Sequence, residues 1–362
     1  MESAVNMKVN RLPSITWNWL RMNEAHIEGV KVEKTGDMKA QVPGGINAET
    51  LDASRYADAK TGMGPEMSAL SVSAGVSSCS YTAGEGKKIT EPLRLDFNYQ
   101  PGCRDINNVD LTAAAGSEMT VIMKFGTDDE DAAVDSLAAV QTRYHVAQGA
   151  VLHIIQVQTL GEHFTFLNDI GGECDDNGRI EVIQIVLGNG QTYLGTRADL
   201  KGKQSYFRAD LGYVVGGNGK LDINYVADHP AKKTESLINA SGVLRNTAHK
   251  LFRGTIDLHR GCAGSVGNEK EDVLLIDDDV VNQTIPLILC DEEDVVGNHG
   301  ATIGRLDESL LFYLQSRGLD EQHVYEMMAR ARIDAVSALI PDEQTRNEIS
   351  SYQDRHYNTE AE

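Results

Sequence analysis

The spacing of apolar residues changes character twice along this chain. From residue 91 it is strand-like. Pro92-Leu93-Arg94-Leu95-Asp96-Phe97-Asn98-Tyr99 alternates apolar and polar positions, the period of a half-buried strand. Met119-Thr120-Val121-Ile122-Met123-Lys124-Phe125 repeats that texture. Short β-runs follow at 151–157, 180–187, 192–194, 206–207, 213–215, 221–226, 251–256 and 273–276. Turn signals separate them, among them Gly171-Gly172, Asn177-Gly178, Gly188-Asn189-Gly190 and Gly216-Gly217-Asn218-Gly219. No helical period interrupts residues 91–295, which excludes a doubly wound α/β sheet. An all-β body remains, compatible with a sandwich, a barrel or a parallel β-helix. No strict short repeat selects among them. Some strands are apolar at nearly every position, as in Ile183-Gln184-Ile185-Val186-Leu187, which suits a sheet covered on both faces.

Beyond residue 304 the period becomes helical. Asp307 is a natural N-cap with Glu308 in the first turn, and Gly318 ends the helix after Arg317. Asp320 caps a second helix, whose stripe reads Val324, Met327, Met328, Ala331, Val336 and Leu339. Pro341 stops it, and Asp342 starts a third helix through Ile349. The spacing before residue 91 reads as helical and irregular. Ser14 or Thr16 could cap a short helix carrying Trp17, Leu20 and Met22 as a packing anchor, and 60–90 reads as loop or linker. The predicted organisation is an N-terminal helical and irregular region over 1–90, a β core over 91–304 and a C-terminal helical region over 305–362. The last region is expected to be removable without unfolding the β body.

Composition narrows the function. A chain of 362 residues with 41% hydrophobic content can bury a large core. Its formal net charge of −21 disfavours nucleic acid and anionic membrane and suits a basic partner protein. The sequence lacks a transmembrane-length apolar run and an N-terminal signal pattern, so a cytoplasmic protein is expected. The five cysteines form no CxxC, and an odd number argues against a disulfide framework. No Walker A loop, GxSxG, HExxH or GxGxxG after a strand is present, so neither ATP hydrolysis nor other enzymatic activity is expected. Asp128-Asp129-Glu130-Asp131 lacks the spacing of a calcium loop and reads as a solvated turn. His145, His153 and His163 read as ordinary strand residues. His299 differs, because it stands between small residues at the expected strand-to-helix boundary, where its ring should be accessible. A neutral imidazole there is a donor ligand at cellular pH. With Cys290 upstream, it would make a thiolate–imidazole pair for iron or a cluster. The plainer alternative has Cys290 in the core and His299 capping a turn.

Residues 297–318, running GNHGATIGRLDE then LFYLQSRG, resemble the C-terminal signature of the SufB/SufD family of SUF iron–sulfur cluster assembly. Asp222-Ile223-Asn224-Tyr225-Val226-Ala227-Asp228-His229, Ser241-Gly242-Val243-Leu244, Phe252-Arg253-Gly254 and Glu271-Asp272-Val273-Leu274-Leu275-Ile276-Asp277 extend the likeness, and Leu12-Pro13-Ser14-Ile15-Thr16-Trp17-Asn18 matches weakly. Gly297 replaces the Cys that some relatives carry, and Leu314 stands where SufB-type chains place a Cys, so the likeness favours the SufD branch. It implies a mainly β fold with a right-handed parallel β-helix body. It also implies pairing with a SufB-like scaffold through the end of that body, with His299 at the cluster-assembly contact. The C-terminal helices would dock a SufC-like ABC ATPase, for which Phe312, Tyr313, Arg317, Met327 and Met328 are the candidate contacts. No tightly bound cofactor is implied, only a transient Fe–S cluster or iron at the SufB contact. Two rivals are a self-sufficient homodimeric scaffold using Cys290 and His299, and a β-helix carbohydrate-active enzyme. The latter needs clustered carboxylates on a strand face, and the 6% aromatic content offers little to line a sugar groove.

Overall fold

The computed structural model of the protein describes residues 4–14 and 18–357. Its alternating runs form a parallel β-solenoid of about 8 turns. Each coil sends one strand to each of two facing sheets, so strands two apart in the sequence are hydrogen-bonded neighbours. The parallel β-helix is thereby selected over the sandwich and the barrel. One column of the first sheet runs Thr112, His145, Glu173, Asp199, Asp228, Asp257, Leu289, and the sequence step changes along it. Turns of unequal length absorb the difference, which is why no fixed repeat is readable. The space between the sheets holds one continuous apolar stack, with Phe125 at 4.9 Å centroid distance from both Phe97 and Phe166. A buried amide ladder crosses it: Asn168 and Gln184 both donate to Gln156 Oε1, at 2.6 and 2.7 Å.

The two ends of the solenoid differ. At the first end Ile46–Leu51 and Met38–Gln41 pair antiparallel with Ser78–Ala83 and Leu93–Asn98 and are the outermost strands of their sheets. At the other end Val281–Cys290 and Val295–Gly304 are the outermost strands of their sheets, each with one neighbour.

The outer faces are covered, as the continuous apolar runs require. Helices α1 (Pro65–Ser73), α2 (Glu308–Gln315), α3 (Glu321–Ser337) and α4 (Glu343–Tyr357) flank the solenoid. On the second sheet, Ala329, Ile333 and Val336 of α3 pack on Ile155, Ile185, Val214 and Val243. At ~1.5–3 kcal/mol for each fully buried aliphatic side chain, that contact belongs to the body's own core. The helical tail is therefore not the removable module expected. The stripe is also rotated from the expected one: Val324 and Val336 are buried, while Met327, Ala331 and Leu339 are exposed.

Residues 1–90 are more strand than expected. Val5–Val9 and Ala25–Val30 form an antiparallel pair that packs, with Met67 and Leu70 of α1, on Ile106, Ala139 and Leu167 of the first sheet. The stretch 60–90 includes α1 and the strand Ser78–Ala83 and is not a linker. Its approach to the sheet is close enough that a Cβ at Gly195 would lie 2.2 Å from Met63 N, which only glycine avoids. Thr16 and Trp17 lie outside the described residues. Trp19 and Leu20 are exposed, and Met22 does the anchoring, packed with Leu12, Leu251 and Ile285.

Candidate functional site: a polar mouth at the open end of the solenoid

In a strand successive side chains alternate between faces, so each column of the solenoid keeps one orientation. The inward column Val121, Ile154, Val182, Ala209, Ile238 is aliphatic and buried through five coils. Its next two members are Glu269 and then His299. The change from aliphatic to titratable falls in the last two coils, where the lumen opens.

Several other residues of this mouth are polar. Lys250 and Glu271 are fully buried and form an ion pair. Lys250 Nζ also donates to Asn282 Oδ1 at 3.0 Å and Thr284 Oγ1 at 3.2 Å, and Thr284 donates to Glu271 Oε2 at 2.6 Å. Burial pulls the Lys250 ammonium below its ordinary pKa, opposed by the Glu271 carboxylate. Glu269 is treated differently. Burial first, and the charge of Glu271 second, push its carboxyl up to about 8, although Lys250 opposes this. The space for that carboxylate comes from Gly254 on the facing sheet, where a Cβ would lie 2.1 Å from Glu269 Oε2.

His299 lies in the middle of Val295–Gly304, not at the strand-to-helix boundary expected for it. Its imidazole is about 30% exposed at the mouth, with Nδ1 3.6 Å from Glu269 Oε1. Cys290 is exposed at the end of its strand and does not enter the core; its Sγ lies 3.1 Å from Glu292 O. Its column is nevertheless the inward one, stacked on Leu258 of the buried core. Cys290 and His299 therefore edge the same mouth without forming a pair. Gly297 faces Ile288, with a Cβ there meeting Ile288 Cγ2 at 3.0 Å, so His299 stands opposite Pro286. Cys290 is four residues further along that strand, ~13 Å away at ~3.3 Å per residue.

The expected ATPase-contact residues gather in part. Helix α2 buries none of its side chains. Phe312 and Tyr313 are exposed, and Arg317 stacks on Tyr313 with its guanidinium 5.2 Å from the ring centroid. Met327 is exposed on α3, but Met328 packs toward the second sheet. Neighbours on a helix point ~100° apart, so the two methionines do not share a face.

Sequence reasoning missed Glu269, Glu271, Lys250, Gly254 and Thr284. The signal was period two. Glu269 and Glu271 share an alternation with Val273, which is buried in the core, but charged residues are rarely buried, so the alternation alone did not mark them as inward. Among the described residues, Asp228, Asp257 and His259 also have ligand atoms close together. There Arg197 already lies 3.0 Å from Asp228 Oδ1, a cation in the place another would take.

Known proteins resemble the coils that carry this mouth. Residues 101–332 match the family model described as SUF system FeS cluster assembly, SufBD core domain. The chain is 25% identical over 255 residues to the iron-sulfur cluster assembly protein SufD of Bacillus subtilis, covering 69% of this chain and 57% of that one. It is 34% identical over 115 residues to an iron-sulfur cluster assembly SufBD family protein of Mycobacterium tuberculosis, covering 32% of this chain and 14% of the relative. A Staphylococcus haemolyticus protein of the same family is 27% identical over 169 residues, covering 46% of this chain and 36% of its own length. The chain thus spans less than two thirds of the length of these relatives. The match over 101–332 takes in most strands of both sheets, the polar mouth and most of α3, and by it the chain belongs to the SufB/SufD family of SUF iron–sulfur cluster assembly proteins.

Proposed function

We propose that the protein is a SufD-like subunit of a SUF assembly complex, pairing end to end with a SufB-like scaffold and carrying a SufC-like ATPase on its C-terminal helices. The observation that supports this best is the open end. The outermost strands Val281–Cys290 and Val295–Gly304, each with one free edge, surround a mouth lined by His299, Glu269, Lys250 and Thr284, while the outermost strands at the opposite end are shorter and antiparallel. Such edges pair readily with strands from another chain. A second solenoid on that end would bury His299 at the joint, where a nascent cluster or iron, as cargo, would meet an imidazole. Helix α2 presents Phe312 and Tyr313 to solvent, in keeping with a docking site for the ATPase. In this reading the chain hydrolyses no ATP itself; hydrolysis by the ATPase would shift the joint.

Co-expression with SufB-like and SufC-like chains, followed by mass measurement, tests the pairing. A stable homodimer that ignores both partners and holds a coloured cluster alone would favour the self-sufficient scaffold instead. The site is tested by complementation of a SufD-deficient strain. His299→Ala should abolish rescue while melting within ~0.5 kcal/mol of the parent, because the ring is partly exposed. Full rescue would remove His299 from the mechanism.

A further inference from the structure

Glu269 is 3% exposed, and neither of its carboxylate oxygens has a hydrogen-bond partner among the described residues. The donors closest by are engaged elsewhere: Lys250 serves Glu271, Asn282 and Thr284, and Thr284 serves Glu271. An unpaired carboxylate in an apolar column is costly, and a column of Val, Ile and Ala continued by one more aliphatic residue would avoid the cost. The facing position, Gly254, is open just where that carboxylate projects. The remaining neighbour is His299 Nδ1 at 3.6 Å. Two atoms bound to one cation at ~2.1 Å each stand roughly 3–3.5 Å apart, so a small rotation of the exposed imidazole brings the pair to ligand spacing.

We propose that Glu269 and His299 form half of a divalent-cation site at the mouth of the solenoid, completed by water or by the chain that docks there. The proposal deepens the reading of His299 as the assembly residue and rests on it. The donor pair is one imidazole nitrogen and one carboxylate oxygen, with no thiolate, since Cys290 lies too far along the opposite strand. Such a pair suits a borderline divalent ion of the Fe(II), Mn(II), Co(II) or Zn(II) type. Glu271 is held by Lys250 and Thr284 and does not join; it supplies negative charge behind the site. Iron bound here would be cargo, presented at the joint by a ligand set open on the partner's side.

Co(II) alone is the probe, added to the purified full chain and followed by its visible d–d absorption and by calorimetry. The parent should bind one equivalent. Glu269→Gln and His299→Ala should each weaken binding at least tenfold, and Cys290→Ser should leave it unchanged. Thermal melting accompanies each variant. If the Gln side chain does not fold, Glu269→Asp decides, since it keeps the charge but withdraws the oxygens and should also weaken binding tenfold. Binding by Glu269→Gln equal to the parent's would overturn the proposal, as would a parent that binds Co(II) no better than the His299→Ala chain. Failure here with loss of complementation by His299→Ala would leave the assembly reading standing. Full complementation by His299→Ala would sink that reading whatever Co(II) does.

Discussion

His229 is fully enclosed at the end of Lys220–His229, with Nδ1 2.7 Å from Thr234 Oγ1 and Nε2 2.9 Å from Ser236 Oγ. Burial lowers its pKa to about 4, against the ordinary value of 6.5. The folded state therefore holds the neutral ring. The associated stability is complete above pH ~6.5 and is lost as the pH falls through ~4, up to about 3 kcal/mol in all. The fall in Tm between pH 7 and pH 4.5 should be smaller for His229→Gln than for the parent; equal falls would show that the ring does not report its burial. Gly254 offers a second residue-scale test. A Cβ there meets the Glu269 carboxylate, so Gly254→Ala should cost ~1–3 kcal/mol by overpacking. In a Glu269→Ala background the same change should cost less than ~1 kcal/mol. Equal costs in both backgrounds would mean that Gly254 serves the backbone and not the carboxylate.

The helices after the solenoid divide by what they bury. Helix α3 closes the outer face of the second sheet, and Ile333 within it is fully buried. Ile333→Ala should cost ~2–5 kcal/mol, read from urea unfolding. Removing 307–362 uncovers Ile155, Ile185 and Val214 and should give an aggregating protein, not a folded core. Helix α2 buries nothing, so Phe312→Ser should leave the melting curve within ~0.5 kcal/mol of the parent while weakening capture of a SufC-like ATPase. Unchanged capture would move the docking site off α2. The two helices have similarly clear caps, Asp307 accepting from Ser309 N and Leu310 N, and Asp320 from His323 N. Capping marks where a helix begins and says nothing of which face it buries.

At the scale of the molecule, the last strands are antiparallel at one solenoid end and parallel at the polar mouth, and Leu12 and Met22 of the N-terminal strap pack on the coils at the mouth end. Arg253 is fully buried on the outer face near that end. Its Nη1 donates to Asp222 Oδ1 at 2.6 Å and its Nε to Met22 O at 2.7 Å, while Asn10 Nδ2 donates to the same Asp222 oxygen at 2.8 Å. This group fastens the N-terminal strap across the late coils. Arg253→Ala leaves Asp222 buried and short of charge, which should cost ~3–5 kcal/mol. It should also speed limited proteolysis near residue 20 ahead of cleavage in the body. Simultaneous cleavage of both would show that the strap has no independent stability.

Local patterning alone determined that this is a β body with no α/β crossover, followed by helices begun at Asp307 and Asp320. Period two and side-chain capping act over a few residues, and they survive in a sequence read by itself. The resemblance carried by 297–318 supplied the coil topology and the assembly role of His299. Tertiary structure decided what depends on contact between distant residues. Of the expected anchor residues Met22 packs and Leu20 does not, because the strap crosses Leu251 and Ile285. The buried stripe of α3 turns toward Ile333, because the sheet beneath it sets which residues meet. Cys290 and His299 fall on opposite walls of the mouth, because a solenoid separates neighbours in sequence and stacks residues a full coil apart. For the same reason Glu269 lies beneath His299 and opposite Gly254: only the winding of the chain turns a run of charged residues into one strand face closed inside the lumen.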